Sequence, residues 1–228
     1  MNNSSLSCEY SLRKYLNYNN GFFIEVGAND GIQQSNTLRL EKDLGWKGIL
    51  IEPSFESYIN CIKNRKDSLV LNIALTSFSD YQERQFQYGD FNGSLMSSLI
   101  NKKTGFNFLD NLKNILISLK NNNLVPVRQA PLQLIFDQLI FQKVDFLSLD
   151  VEGYELEVLH GINFETFRPK YIAIEVRNHH KEKIFDYLFK KQYRFLECLT
   201  NFSLTNSPRW DGTHQDYLFI DDLSDASL

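Results

Sequence analysis

Cysteine is scarce in this sequence, and its three instances, Cys8, Cys61 and Cys198, lie far apart in no CxxC or metal-ligand spacing. That argues against a disulfide framework or a cysteine-based zinc site and is the pattern of reduced thiols in a cytoplasm. Proline occurs only five times and glycine 11 times, too seldom for a low-complexity or collagen-like chain. No apolar run approaches the roughly 18 residues of a membrane span. The opening MNNSSLSCEYSLRKYL lacks the apolar stretch of a secretory leader. The expectation is a soluble, cytoplasmic protein without membrane insertion. Positive charge is not in surplus either: 24 Lys and Arg face 28 Asp and Glu, a net charge of -4, so nucleic acid is not an expected partner. What the chain does have is a 43% hydrophobic and 14% aromatic content over 228 residues, enough for a real core and for one domain spanning 1–228.

Its rhythm is that of alternating strands and helices. A leading helix is expected over 5–18, then a strand at 22–26, a helix at 36–44, a strand at 48–52, a helix at 55–66 and a strand at 68–75. The crossovers are long enough for parallel pairing. From 76 to 130 the rhythm breaks into polar turns, a helical stretch at 107–120 and the triplet NNN at 121–123. This reads as an inserted lid or substrate-facing segment, with Lys102, Lys103, Lys113, Lys120 and Arg128 giving local positive charge. Regularity returns with a helix at 132–140 and strands at 144–150 and 171–176, separated by a helix at 154–159. A helix at 181–191 and strands at 194–198 and 217–220 close the chain.

In a doubly wound sheet, ligands sit beyond the carboxyl ends of the strands. The strands here end in, or beside, Glu25, Glu52, Asn72, Asp150 and Glu175, so the polar positions converge where a ligand should bind. The loop after the first strand reads FFIEVGANDG. Its glycines are four apart, without the GxGxxG spacing that admits a pyrophosphate, and an acid precedes them. Such a loop suits a ligand with a positive group. S-adenosylmethionine (SAM) fits: Glu25 could face its methionyl ammonium and Glu52 its ribose hydroxyls.

The run EVGANDGIQQSNTLRLEKDLGWKGILIEP, followed by Tyr58, Asn64 and Arg65, resembles the FkbM-type SAM-dependent methyltransferases, and SLDVEGYELEVLHGINF with the later IAIEV resembles that family's second signature. The resemblance implies an α/β, Rossmann-like class I methyltransferase fold. Its seven-stranded, mostly parallel sheet would run 3-2-1-4-5-7-6, with helices on both faces and an insertion between strands 3 and 4. It also implies O-methylation as the usual activity. Matched position by position, Glu25, Gly27, Asn29 and Asp30 fall on the cofactor loop, and Ser35, Asn36 and Thr37 on a helix start whose amides would meet the methionine carboxylate. Glu52 falls on the ribose side and Asn72 and Ala74 on the adenine side, with Pro53 also among the cofactor-binding positions.

A hydroxyl acceptor needs its proton removed, by a base or by a metal that lowers its pKa. Asp150 is the first choice for touching both cofactor and acceptor, with Glu175 and His179 as further catalytic candidates and Glu152, His180 and His214 behind them. Asp150 and Glu175 would also be the ligands if Mg²⁺ takes part. The position after strand four reads Asp150-Val-Glu-Gly-Tyr154 rather than [ND]PP[YF], which disfavours amide and base-nitrogen acceptors. The resemblance points to a hydroxyl of a sugar or glycan, against which Trp210 could stack. The alternatives are a non-sugar secondary metabolite and a non-catalytic SAM-fold binding module.

Overall fold

The computed structural model describes residues 8, 11–83, 86–89, 125–138, 143–200 and 212–225. The helical stretch expected at 107–120, the NNN triplet, the four lysines of the insertion and Trp210 lie outside them. In chain order the strands are β1 Phe22–Val26, β2 Lys47–Ile51, β3 Leu69–Leu71, β4 Ala74–Leu75, β5 Phe86–Gly89, β6 Val125–Ala130, β7 Phe146–Leu149, β8 Tyr171–Arg177, β9 Tyr193–Cys198 and β10 His214–Asp221. The helices are α1 Leu38–Leu44, α2 Phe55–Asn64, α3 Phe78–Glu83, α4 Leu132–Gln138, α5 Glu155–Leu159, α6 Lys181–Lys190 and α7 Asp222–Asp225.

Seven strands make the main sheet in the order β3-β2-β1-β7-β8-β10-β9. Renumbered within that sheet, this is the expected 3-2-1-4-5-7-6. Its pairs are parallel except those of β10, which runs antiparallel to both β8 and β9. A second sheet, β4-β6-β5, occupies the expected insertion.

Alternation along the strands explains why both faces are covered. Ile24, Val26, Leu147, Leu149, Ile172 and Ile174 enter one buried cluster, while Phe23, Phe146, Tyr171, Ala173, Leu218 and Ile220 enter another with Trp46 and Cys61. With a side-chain period of two, these are opposite faces of the same strands. On the second face the apolar layers stop at the carboxyl ends of the parallel strands. The next positions there are Glu25, Glu52, Asp150 and Glu175. The polar row is thus the top layer of an otherwise apolar face.

Several expected boundaries shift. The strand expected at 68–75 is two, because the Asn72 Nδ2 donates to the carbonyls of Glu52 and Pro53 at 2.9 Å each and the chain then leaves for the second sheet. Helix α1 begins at Leu38 rather than 36. The last strand starts at His214 rather than 217. Of the leading helix, the described part shows Cys8, Leu12 and Leu16 buried, the four-residue spacing of one helical stripe. Among the described residues no helix is long and apolar enough to cross a membrane.

Candidate active site

The loop after β1 is pressed against the end of β7. The amides of Gly27 and Ala28 donate to the carbonyl of Ile51, and Gly27 adopts φ +81° with the Asp150 carbonyl so close that a Cβ would lie 1.7 Å from it. Only glycine meets both conditions. Asn29 follows at φ 49°, the left-handed conformation that Asn tolerates. Its amide donates to Glu52 Oε2 at 2.8 Å, and its side chain accepts from the Ser57 hydroxyl at 3.2 Å.

Above this loop is a cleft lined by Glu25, Gly27, Asn29, Ser35, Asn36, Glu52, Pro53, Ala74, Ser148, Asp150 and Glu152, among others, with roughly 990 Å³ of atom-free space including its mouth. Glu52 fits the ribose role. Each of its oxygens accepts one backbone amide, from Asn29 at 2.8 Å and Ser54 at 2.7 Å. A carboxylate has about four acceptor sites, so capacity remains for two hydroxyls. Burial pushes its pKa up, so donors reaching its charged form would be favourable.

Glu25 answers the question of how a carboxylate survives at the end of a buried strand. Its oxygens accept from the Ser35 hydroxyl at 2.9 Å, the Asn36 amide at 2.8 Å and the Thr37 hydroxyl at 2.5 Å. Arg65, its side chain fully buried, stands 3.5 Å away. Breaking such a pair by removing one partner typically costs about 3–5 kcal/mol. Glu25 lines the cleft but already has a cationic partner, so its first role is to hold the 35–37 segment. The amides there are spent as well: that of Asn36 on Glu25, and those of Thr37 and Leu38 on the Ser35 hydroxyl at 3.3 and 3.1 Å. The expectation that they meet a ligand carboxylate is therefore corrected, since they are consumed inside the loop.

At the far side, carboxylates line up across three strands. Parallel register sets Leu149 beside Ile174, which places Asp150 level with Glu175, and antiparallel register sets Asp216 opposite Glu175. Burial first, then Asp216 and neighbouring acids, pushes the Asp150 carboxyl up to about 8. Burial, then Asp150, pushes Glu175 to about 9. The two behave as one coupled pair that retains protons near neutrality. Asp216 rises to about 6, mainly by burial and opposed by His214. His214 Nε2 lies 3.7 Å from Glu175.

These shifts have a direction for stability. Unfolded, the two acids titrate near pH 4, whereas folded they keep protons to about 8 and 9. Between those limits the native state binds more protons, so their contribution is complete below pH ~4 and is lost as pH rises through the folded values. The melting temperature is expected to fall from pH 5 to pH 9, and to fall less in an Asp150→Asn/Glu175→Gln variant. Equal slopes in the two proteins would remove these acids as the cause.

Of the expected cofactor residues, Glu25, Gly27, Asn29, Ser35, Asn36, Glu52, Pro53, Ala74 and Asp150 line the cleft. Asp30, Thr37 and Asn72 do not. Asp30 accepts the amides of Ile32 and Gln33 and shapes the turn, Thr37 is buried between Glu25 and Arg65, and Asn72 ties down the β2 exit. Glu175 sits one strand beyond the cleft wall. His179 lies in the short turn Asn178–His180 after β8, its ring 4.1 Å from that of His180. Glu152 is held at φ 56° with its carboxylate 2.6 Å from Arg177. Among the described residues no group of three or more His, Cys, Asp or Glu could hold a metal ion. The Mg²⁺ expectation on Asp150 and Glu175 finds no support, because their burial favours protonated carboxyls over a charged ligand set.

Asp216 and Ser148 were not anticipated. Ser148 Oγ accepts from Asn36 Nδ2 at 3.0 Å, linking the cofactor loop to β7.

No curated protein matches the chain. Among solved structures, fibrillarin from Aeropyrum pernix, in complex with natively bound SAM, is similar at 10% identity over 95% of this chain and 74% of that one, with a TM-score of 0.52. A precorrin-6y C5,15-methyltransferase from Geobacter metallireducens aligns at 9% identity over 95% and 87%, with a TM-score of 0.45. At its identity the likeness to fibrillarin concerns the fold alone. The family model for the methyltransferase FkbM domain matches residues 25–197, which takes in the cofactor loop and both Asp150 and Glu175. The chain therefore belongs to the FkbM family of SAM-dependent methyltransferases.

Proposed function

We propose that this methyltransferase acts on a hydroxyl group, and that its acceptor is a sugar or glycan, or another hydroxyl-bearing small molecule of that kind. The observation that carries the reading is the coupled Asp150–Glu175 pair beside the cofactor cleft. A sugar hydroxyl is a weak nucleophile until its proton is taken, and a base works best with a pKa near the working pH. An ordinary carboxylate is too weak for this. Two half-buried carboxyls whose pKa values are raised by loss of water and by neighbouring acids supply a stronger one.

SAM, when bound, supplies an electrophilic methyl group. Glu52 would hold its ribose, Pro53 and Ala74 would flank its adenine side, and the Gly27–Asn29 turn would pass beneath it. Asp150, at the junction of cleft and carboxylate row, would orient the acceptor hydroxyl and, in its ionised form, whose share grows as pH rises toward about 8, receive its proton. Glu175 would share that proton, and His179, on the turn after β8, is the third candidate for passing it to solvent. Positioning the acceptor against the methyl contributes the remaining rate advantage.

The test is transfer from methyl-labelled SAM to a panel of monosaccharides, nucleotide sugars, oligosaccharides, non-sugar alcohols and amines. Label in a stable ether on a sugar is the expected result. Label on non-sugar alcohols alone would point to a secondary metabolite. Label on amines alone would overturn the hydroxyl reading, and binding of S-adenosylhomocysteine with no transfer to any acceptor would favour a non-catalytic module.

A further inference from the structure

We propose that Arg65, with Asn64 beside it, is the positioning residue of the cofactor loop and governs cofactor affinity although neither side chain lines the cleft. This rests on reading the cleft as the SAM site.

Arg65 closes helix α2, and its guanidinium is buried beneath the loop that joins β1 to α1. Nη1 donates to the Gly31 carbonyl and the Ser35 hydroxyl, both at 3.1 Å, and Nη2 to the Thr37 hydroxyl at 2.9 Å. Nε donates to Glu41 Oε1 at 3.2 Å. The guanidinium carbon lies 5.5 Å from the centre of the Phe23 ring. Asn64 adds a bond from its Nδ2 to the Asp30 carbonyl at 2.8 Å. One side chain thus grips the loop at positions 31, 35 and 37, bracketing Gln33, Gln34, Ser35 and Asn36, which line the cleft. The fit is tight: a Cβ on Gly31 would lie 2.6 Å from Arg65 Cγ.

A loop of this length without internal secondary structure would otherwise be ordered at the expense of binding, and fixing it beforehand transfers that cost to folding. A planar guanidinium with donors in a rigid fork can satisfy several acceptors in one geometry, which a lysine ammonium cannot. Hence the identity of residue 65, and not only its charge, should register in cofactor affinity.

The experiment uses the full chain and S-adenosylhomocysteine as probe. Arg65→Lys is expected to raise its Kd about tenfold by loss of the fork. Asn64→Ala, which removes one exposed hydrogen bond, is expected to raise it about fivefold with little change in apo melting temperature. Amide exchange at residues 31–37 should accelerate in apo Asn64→Ala and return to the wild-type rate at saturating S-adenosylhomocysteine. If both variants bind like wild type while Arg65→Lys merely melts earlier, Arg65 is a structural residue and the inference fails. Should Arg65→Lys not fold, unchanged affinity in Asn64→Ala overturns it alone. Failure of the wild-type protein to bind S-adenosylhomocysteine would instead overturn the reading of the cleft, and this inference with it.

Discussion

Asp150→Asn is expected to lower methyl transfer by about 10²–10⁴-fold, the usual contribution of a positioned general base, with S-adenosylhomocysteine affinity held within a few fold. The substitution keeps the shape of the side chain and leaves the backbone contacts intact. The Asp150 amide still donates to Val26, and its carbonyl still sits against Gly27. What is lost is the ionisable group at the cleft wall. Glu175 would simultaneously lose the neighbour that ranks second among the causes of its raised pKa. Residual activity should therefore show its rising limb at lower pH than wild type. Wild-type turnover in Asp150→Asn would remove this residue from the chemistry, and turnover lost together with cofactor binding would make it a cofactor residue instead.

Gly27→Ala is the second large effect. Left-handed backbone costs a non-glycine residue about 1–2 kcal/mol, and an added methyl in a packed site costs about 1–3 kcal/mol. With the Cβ placed 1.7 Å from a backbone carbonyl, no side-chain rotation relieves the overlap, so the loop or the end of β7 must move. Urea unfolding should register a loss of about 2–5 kcal/mol, and calorimetry should find no S-adenosylhomocysteine binding. A loss below about 1 kcal/mol, with binding retained, would mean the loop yields easily and the close approach sets no constraint.

The parallel half of the sheet was legible because each strand there is an apolar run that meets a polar residue at its carboxyl end, and Glu25, Glu52, Asp150 and Glu175 all obey that rule. Asp216 escaped it for a geometric reason. β10 runs antiparallel, so it brings its beginning, not its end, to the same edge. A search for strand-final acids passes over it, whereas alternation backwards from Ile220 and Leu218 reaches it. The family resemblance identified the cofactor loop, but not how its parts are used. Asp30, Thr37 and Asn72 look like ligand residues in a motif, yet their side chains hold other parts of the protein, Asp30 and Asn72 the backbone and Thr37 the Glu25 and Arg65 side chains, and partners distant in sequence, such as Arg65 for Thr37, are not apparent from local spacing. The strand expected at 68–75 divides for a similar reason: its β-forming residues say nothing of the Asn72 side chain reaching back across β2.

The junction of the two sheets has a consequence for how such a protein can change. Ala74 and Leu75 pair with Gln129 and Ala130, and the Thr76 amide donates to the Ala130 carbonyl at 3.2 Å. The stretch from 76 to 130 thus departs and returns at one hydrogen-bonded doorway. Its ends are brought together by the scaffold. Evolution can lengthen, shorten or rewrite what hangs from that doorway without disturbing Glu25, Glu52 or the turn between them. The fold is in this sense a fixed socket with an exchangeable cartridge.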